Sequence, residues 1–576
     1  MFKDYAFDSF IEHAWVFKIG LSGNRCASHR LTRIGINLYT RIEHGLRHGD
    51  DHLWHIPTRG FRIINPRAPL SHTCLMIMWS RTHDNLYLNY AKTLTNVLIV
   101  NFALGVITGT IVEFGLLDIW PTSILLFASS GFLPLLYEAT IAFIGEAVLV
   151  VFFLITLGRW RASYSIALLI ATWFLGSLSG YFILTANAWM NVPWGMGNIP
   201  RALYPFLPSY GPDDANVTGV LNLAALLVNY TLDGYGSMAL SNPGFTHLVG
   251  VFYLNPYISL VNPDAIITTF HTLFAAYAIG LGVVGTALSV RYLGTRDDKY
   301  IKLLRPILWV LTIVLLIEPI VLGHFMGDTV VKYQPLKFTA LVTLTGGKGV
   351  YGYEFYDPIE ALFAYGNPYH PIHGFEYYLS SCNALGNTTF VELYEKLDPS
   401  MINYISGISN LTLSSYCREA VLSLEPIAPL VSAFYYTMIG SGIIIAIAAV
   451  LVLFTYLIRI PVLTDITDFI NYRLLSPLIG YYNVLPFLTM VMAFGSAIAA
   501  TAGWAAREIG RQPWTIYGLI TTNEVVTPVP ITPVFVAYVL AILTAIAVGG
   551  SLAMYYVATR PGILRNISEL LRGGES

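Results

Sequence analysis

Eight apolar runs, beginning near residues 94, 131, 164, 265, 306, 428, 484 and 530, constrain this chain more than any other feature. Each holds about 20 residues or more, enough for a helix to cross a hydrocarbon core of roughly 30 Å. Only 11% of the 576 residues are charged and 55% are hydrophobic, a balance that excludes a soluble protein of this size. The expectation is an all-α polytopic membrane protein with about eight transmembrane helices and long outer loops. A net charge of −2 gives no sign of a nucleic-acid partner, so the first partner is the lipid bilayer.

Lys and Arg in short connections stay on the cytoplasmic side. Arg159 and Arg161, the group from Arg291 to Arg305, Arg459 and Arg473, and Arg560, Arg565 and Arg572 all fall on one face when the runs are threaded alternately. The opposite connections are poorer in basic residues, with only Arg201 between 189 and 263. The long loops therefore face outward and the C-terminus faces the cytoplasm. The resulting blocks are an atypical segment 1–90, a transmembrane block 91–323, an outer loop 324–427, a second block 428–560 and a tail 561–576. Sequons at Asn216, Asn229, Asn387 and Asn410 agree with that orientation, although Asn566 lies inside. Cys382 and Cys417 share the outer loop, where bridged and free states are both open.

The first 90 residues differ from the rest. They carry eight of the thirteen histidines and many arginines, with no run long enough to span. They resemble neither a signal peptide nor a membrane helix. One reading is a basic, His-rich extramembrane segment able to bind metal. The other, preferred here, is a disturbed reading frame between about 40 and 85 that has replaced an original membrane helix.

Three side chains suited to iron fall at similar depth. His271 begins a span that enters from outside, Met438 is similarly placed in a later inward span, and Glu508 ends a span running outward. A single methionine in a membrane helix is usually packing and a lone histidine is often just hydrogen-bonded. An intramembrane carboxylate, by contrast, is costly enough to be functional by default. Glu138 and Glu146 share one span, about 12 Å apart along the axis and on one broad side, a ladder suited to moving protons. Glu113 ends the preceding span on the outer side. Acids hydrogen-bonded only for packing remain the bland alternative. A His and Met pair is a known axial set for a low-spin haem, whereas a carboxylate ligand leaves iron more open.

With these residues in place, the chain from about 90 to its last helix resembles subunit I of the cytochrome bd quinol oxidases. The resemblance rests on Gly510-Arg511-Gln512-Pro513-Trp514 with Glu508 and Trp504, and on Asn101 to Gly109 followed by Glu113. Ala186-Asn187-Ala188-Trp189-Met190, Phe270-His271-Thr272 and Gln334-Pro335-Leu336-Lys337 add to it. It implies that His271 and Met438 ligate a low-spin haem b and Glu508 a high-spin haem b. It also implies that Trp504 lies between haems, that Arg511 holds propionates, and that Glu138 and Glu146 lead protons to a haem d. Lys337 would belong to a quinol site. The implied partners are quinol, oxygen and a companion integral subunit, and the implied activity is quinol:oxygen oxidoreduction that generates a proton-motive force.

Three departures qualify the resemblance. Tyr436 stands where the family usually has an arginine, and Val342 where the quinol loop usually has a glutamate. The family's first helix supplies a histidine to haem d; here Arg33 to Tyr39 resembles the start of that helix, but apolarity then stops. His44 is the best-placed substitute, crowded by Glu43, Arg47, His48, Asp50 and Asp51. Two other functions stay open: a paralogous electron-transfer subunit with b haems and no oxygen chemistry, and a proton-coupled transporter without haem.

Overall fold

The computed structural model describes chiefly residues 67–119, 132–157, 160–192, 262–383, 412–462, 484–517, 520–522 and 533–559, with a few isolated positions between them. It is almost entirely helical. Seven helical stretches among the described residues are long and apolar enough to cross a membrane. They coincide with the first seven apolar runs of the sequence. The eighth run is a helix as well, Pro533–Thr559, although it is not among those seven.

In chain order the first helices are α1 (Arg67–Thr82), α2 (Asn85–Ile119) and α3 (Phe132–Tyr137). A π-helical turn, Glu138–Phe143, leads from α3 into α4 (Ile144–Thr156). Then come α5 (Ala162–Asn191), α6 (Pro263–Thr295) and α7 (Lys299–Ile317). A second π turn, Glu318–Leu322, joins α7 to α8 (Gly323–Tyr333). The segment between α8 and α14 carries α9 (Pro335–Leu341), α10 (Thr343–Gly346), α11 (Pro358–Tyr365), α12 (Phe375–Asn383) and α13 (Leu413–Leu424). The chain closes with α14 (Ala428–Val452), α15 (Leu485–Ile509) and α16 (Pro533–Thr559).

Helix ends follow from local chemistry. The Asn262 side chain accepts from the Asp264 backbone N–H and Pro263 opens α6, while Arg296 ends it in the left-handed region. Asp357 caps α11 by accepting from the Ile359 and Glu360 N–H groups, and Pro358 again takes the first position.

The described residues from Arg67 to Thr522 form one compact unit, and α16 up to Leu552 belongs to a second. Within the large unit α15 packs against both α6 and α14, and α6 also packs against α5 and α7. Leu281, Leu288, Leu304, Ile307, Leu311, Ile445, Ala449 and Met492 make the shared core. The α6–α15 approach is very close. A Cβ on Gly282 would lie 2.8 Å from the Ala493 Cα, so only glycine allows these backbones to meet. Outward faces stay apolar, for example Ile141, Ile144, Val148, Val151 and Phe152, as lipid contact requires.

The segment before residue 90 is not uniform. Its last third is α1, which buries Leu75 and Met76 in the common core and packs on α2 and α5. At 16 residues α1 is shorter than a bilayer core. His72 is fully buried there, with Nε2 3.1 Å from Thr95 Oγ1. His44 lies outside the described residues. In the segment between α8 and α14, Cys382 and Cys417 are bridged, with Cα atoms 5.5 Å apart, which decides the question the sequence left open.

Candidate functional site

The polar centre of the large unit forms where α15 ends. Glu508 is 2% exposed and occupies the last turn of α15. Its Oε1 accepts from Asn187 Nδ2 at 3.0 Å, and its Oε2 pairs with the Arg511 guanidinium. Arg507 extends the network, donating from Nε to Asn187 Oδ1 at 3.1 Å and from its terminal nitrogen to Asp264 Oδ2 at 2.8 Å. Asp264 also accepts from Thr268 Oγ1. Gln334 Nε2 donates to the Asn191 carbonyl and so ties the start of α9 to the end of α5. Four separate segments therefore meet at one polar knot.

The knot has more cations than carboxylates. Lys337, on α9, is buried with no partner for Nζ, and its Cε stands 3.2 Å from the place where a Gly510 Cβ would be. Burial and the neighbouring Arg507 and Arg511 hold its ammonium well below the usual lysine range. Arg511 likewise keeps Nε and one terminal nitrogen buried and unpartnered. A buried donor left unmatched costs about 1–3 kcal/mol, more when charged. Orphaned cationic donors of this kind fit an anionic group such as the carboxylate arms of a haem.

Met438 and His271 flank the same helix system below the knot. A Cβ on Gly503 would lie 2.6 Å from the Met438 Sδ, so α14 lays its thioether directly on α15, beside Trp504 in the chain. Trp504 Nε1 has no partner. His271 sits seven residues after Asp264 on α6, hence about two turns along the same face. The Glu318 carboxylate lies 3.2 Å from His271 Nδ1, a close approach without the direction of a hydrogen bond. A carboxylate behind the Nδ1 of a ligating imidazole is a common second contact at metal centres, and such an arrangement would leave Nε2 free for a metal. The donor set fits a haem: imidazole, thioether and carboxylate on three helices, with cations ready for propionates.

Glu138 and Glu146 form a second group. Both are buried, and both face α5: Ser179 Oγ donates to Glu138 Oε1 at 2.9 Å, and Glu146 packs against Gly176. Eight residues of regular α-helix would leave them about 80° apart. The π turn takes up one extra residue and brings them to within about 20°, as in a heptad. Glu113 lies in α2. Its side chain is outside the described residues.

Sequence reasoning missed Arg507, Asp264 and Glu318. Glu318 could have been found, because it is a carboxylate inside an apolar run and such groups are functional by default. Arg507 directly precedes Glu508, yet nothing in the linear order shows that it reaches α6.

The profile of the family described as cytochrome bd terminal oxidase subunit I matches residues 69–561. The chain belongs to this family. Among curated proteins it is 22% identical over 448 residues to cytochrome bd ubiquinol oxidase subunit 1 of Bacillus subtilis strain 168, a match over 77% of this chain and 78% of that one. The bd oxidase structure from Geobacillus thermodenitrificans superposes with a TM-score of 0.56 at 18% identity, covering 87% of this chain and 94% of the other; that likeness concerns the fold. Membership in the bd family makes this a haem-related membrane oxidoreductase of electron transport. The family match starts at 69, inside α1, earlier than the resemblance near 90 read from motifs.

Proposed function

We propose that this chain is the haem-bearing subunit of a bd-type terminal oxidase, taking electrons from a quinol at the outer face and passing them to molecular oxygen. The observation that carries the reading is the cluster of unpartnered buried donors, Arg511 and Lys337, around Glu508 in a chain of this family. His271 and Met438 would hold a low-spin haem b, Glu508 a high-spin haem b, and a haem d would complete the set. When bound, these groups carry single electrons and bind oxygen.

The chain's own residues do the rest. Arg511 and Lys337 neutralise and orient the propionates, Arg511 as a bidentate fork. Glu318 holds the His271 ring in one orientation. Asn187 and Arg507 keep Glu508 in a single rotamer. Glu138 and Glu146 hold and pass protons along the α5 face, and Glu113 adds a third acid. Trp504 lies between the iron sites. Quinol protons leave outside while consumed protons arrive from the cytoplasm, so charge separation follows without a pump. A companion integral subunit would cover part of the apolar outer surface.

A second reading is favoured by two observations. Val342 and Tyr436 replace the usual glutamate and arginine, which favours a paralogous b-haem subunit that transfers electrons without reducing oxygen. Reduced-minus-oxidised absorption spectra of the purified complex separate the readings. Red-shifted haem d bands support the oxidase, b bands alone support the electron-transfer subunit, and no haem bands support the transporter.

A further inference from the structure

The outer segment contains a buried carboxylate that the roles above leave unused. Glu360, on α11, is 5% exposed. Tyr436 OH donates to its Oε1 at 2.8 Å and Tyr435 OH to its Oε2 at 3.2 Å. The Tyr436 hydroxyl is in turn 2.6 Å from Thr345 Oγ1, on the exposed side of α10. A chain of polar atoms thus runs from the surface at Thr345, through Tyr436, to Glu360.

This cluster stands at both departures from the family pattern. Val342 is wholly buried and offers nothing to a hydroxyl. The stretch that carries it is pinned to α14, because Ser432 Oγ donates to the Leu341 carbonyl at 2.6 Å and accepts from the Leu344 N–H at 3.0 Å. Tyr436 lies two residues before Met438 on α14. We propose that Glu360 is the proton acceptor for quinol oxidation at this outer site, reached through the Tyr436 and Thr345 hydroxyls.

The chemistry matches the position. Each quinol O–H bond breaks heterolytically. Its proton goes to a Glu360 oxygen, one proton per oxidation step, and its electron goes to a one-electron acceptor of the haem class; the proton then leaves to the outer solvent. Two such steps convert quinol to quinone with loss of two protons and two electrons. Both tyrosine hydroxyls bond to the carboxylate oxygens, each of which retains a second lone pair. Burial pushes the Glu360 carboxyl up from its ordinary value, while the two tyrosine hydrogen bonds oppose that push. Asp357, the nearest other acid, is committed to capping the helix backbone. The helix also presents Ile359, Leu362 and Phe363 outward, 66%, 49% and 59% exposed, an apolar flank suited to a quinol ring and tail.

The assignment rests on the quinol-oxidase reading, and the experiment keeps the two failures apart. The wild-type complex and the Glu360→Gln and Glu360→Asp variants are purified, and quinol-driven oxygen uptake, haem spectra and infrared difference spectra on quinol reduction are compared. Glutamine keeps volume and hydrogen bonding but takes no proton, so turnover should fall about 100-fold, the usual worth of a positioned base. Haem spectra should stay unchanged, aspartate should restore part of the rate, and the carbonyl band of a protonated carboxylic acid should vanish in Glu360→Gln. Turnover of Glu360→Gln within twofold of wild type overturns the assignment. So does joint loss of haem and turnover in both variants, which marks a structural clamp. A wild-type complex that holds haem yet oxidises no quinol defeats the proposed function itself, and this assignment with it.

Discussion

At the scale of single residues, the centre is governed by charges removed from water and then paired. Glu508 accepts from Asn187 and Arg511, so Glu508→Ala leaves a buried guanidinium with no counter-charge, a loss of about 3–5 kcal/mol for a broken buried pair. In the proposed site this variant loses the high-spin haem b and keeps the low-spin one. His271→Ala does the reverse. Pyridine haemochrome content and low-temperature spectra check both, and retention of both haems in both variants sinks the ligand assignment. Glu318 offers a finer probe, because an ionised carboxylate 3.2 Å from His271 Nδ1 would stabilise the ferric state of an iron bound through the same ring. Glu318→Gln should therefore raise the low-spin midpoint potential, by about 60 mV for each tenfold change in relative stabilisation of the two oxidation states. A redox titration that shows no shift, or a downward one, removes Glu318 from this role. Motif residues such as Glu508, Arg511 and Lys337 were legible in the sequence because they stand in ordered strings. Asp264, Glu318 and Glu360 were not, since each acquires its meaning from a partner on another helix.

At the scale of elements, seven of the apolar runs could be read directly because length and hydrophobicity alone decide whether a stretch can cross lipid. The π turns could not, because a register shift leaves no mark in composition. The turn at Glu138–Phe143 leaves Ala139, Thr140 and Ile141 all exposed, so the extra residue bulges toward lipid. Deleting Thr140 should convert the bulge to regular helix and leave Glu138 and Glu146 still aligned on α5. Inserting one alanine after Ile144 should instead turn Glu146 about 100° away from Glu138. Quinol-driven oxygen uptake should survive the deletion within a fewfold and collapse on the insertion; the opposite order contradicts a relay along this face. The α6–α15 contact makes a separate prediction. Gly282→Val forces a side chain into the Ala493 backbone, at a typical cost of about 1–3 kcal/mol for overpacking. The thermal midpoint of the detergent-solubilised complex should fall, and Arg507 should separate from Asp264, because those two residues join the same pair of helices.

For the whole molecule, direction across the membrane decides whether the chemistry can do work. The turn between α1 and α2 and the start of α7 are tied by Lys302 and Asp84 at 2.6 Å, which puts them on one side. By the charge rule, the basic residues from Arg291 to Arg305 would make that side cytoplasmic. The disulfide Cys382–Cys417 lies in the opposite segment, where an oxidising environment would maintain it. Glu360 and Lys337 would belong to that outer side, so protons released from quinol would leave there, while Glu138 and Glu146 would draw protons from the other face. Reversing the orientation would make quinol oxidation release protons into the cytoplasm and cancel the gradient. Cysteine labelling tests this in intact cells, in a background with Cys26 and Cys74 replaced by serine. Tyr369→Cys, at a position 82% exposed, should react with a membrane-impermeant maleimide at once. Gly294→Cys, where an added Cβ meets no atom within 4 Å, should react only after the cells are opened. Early labelling at position 294 with protection at 369 would invert the topology and remove the basis for charge separation by this chain.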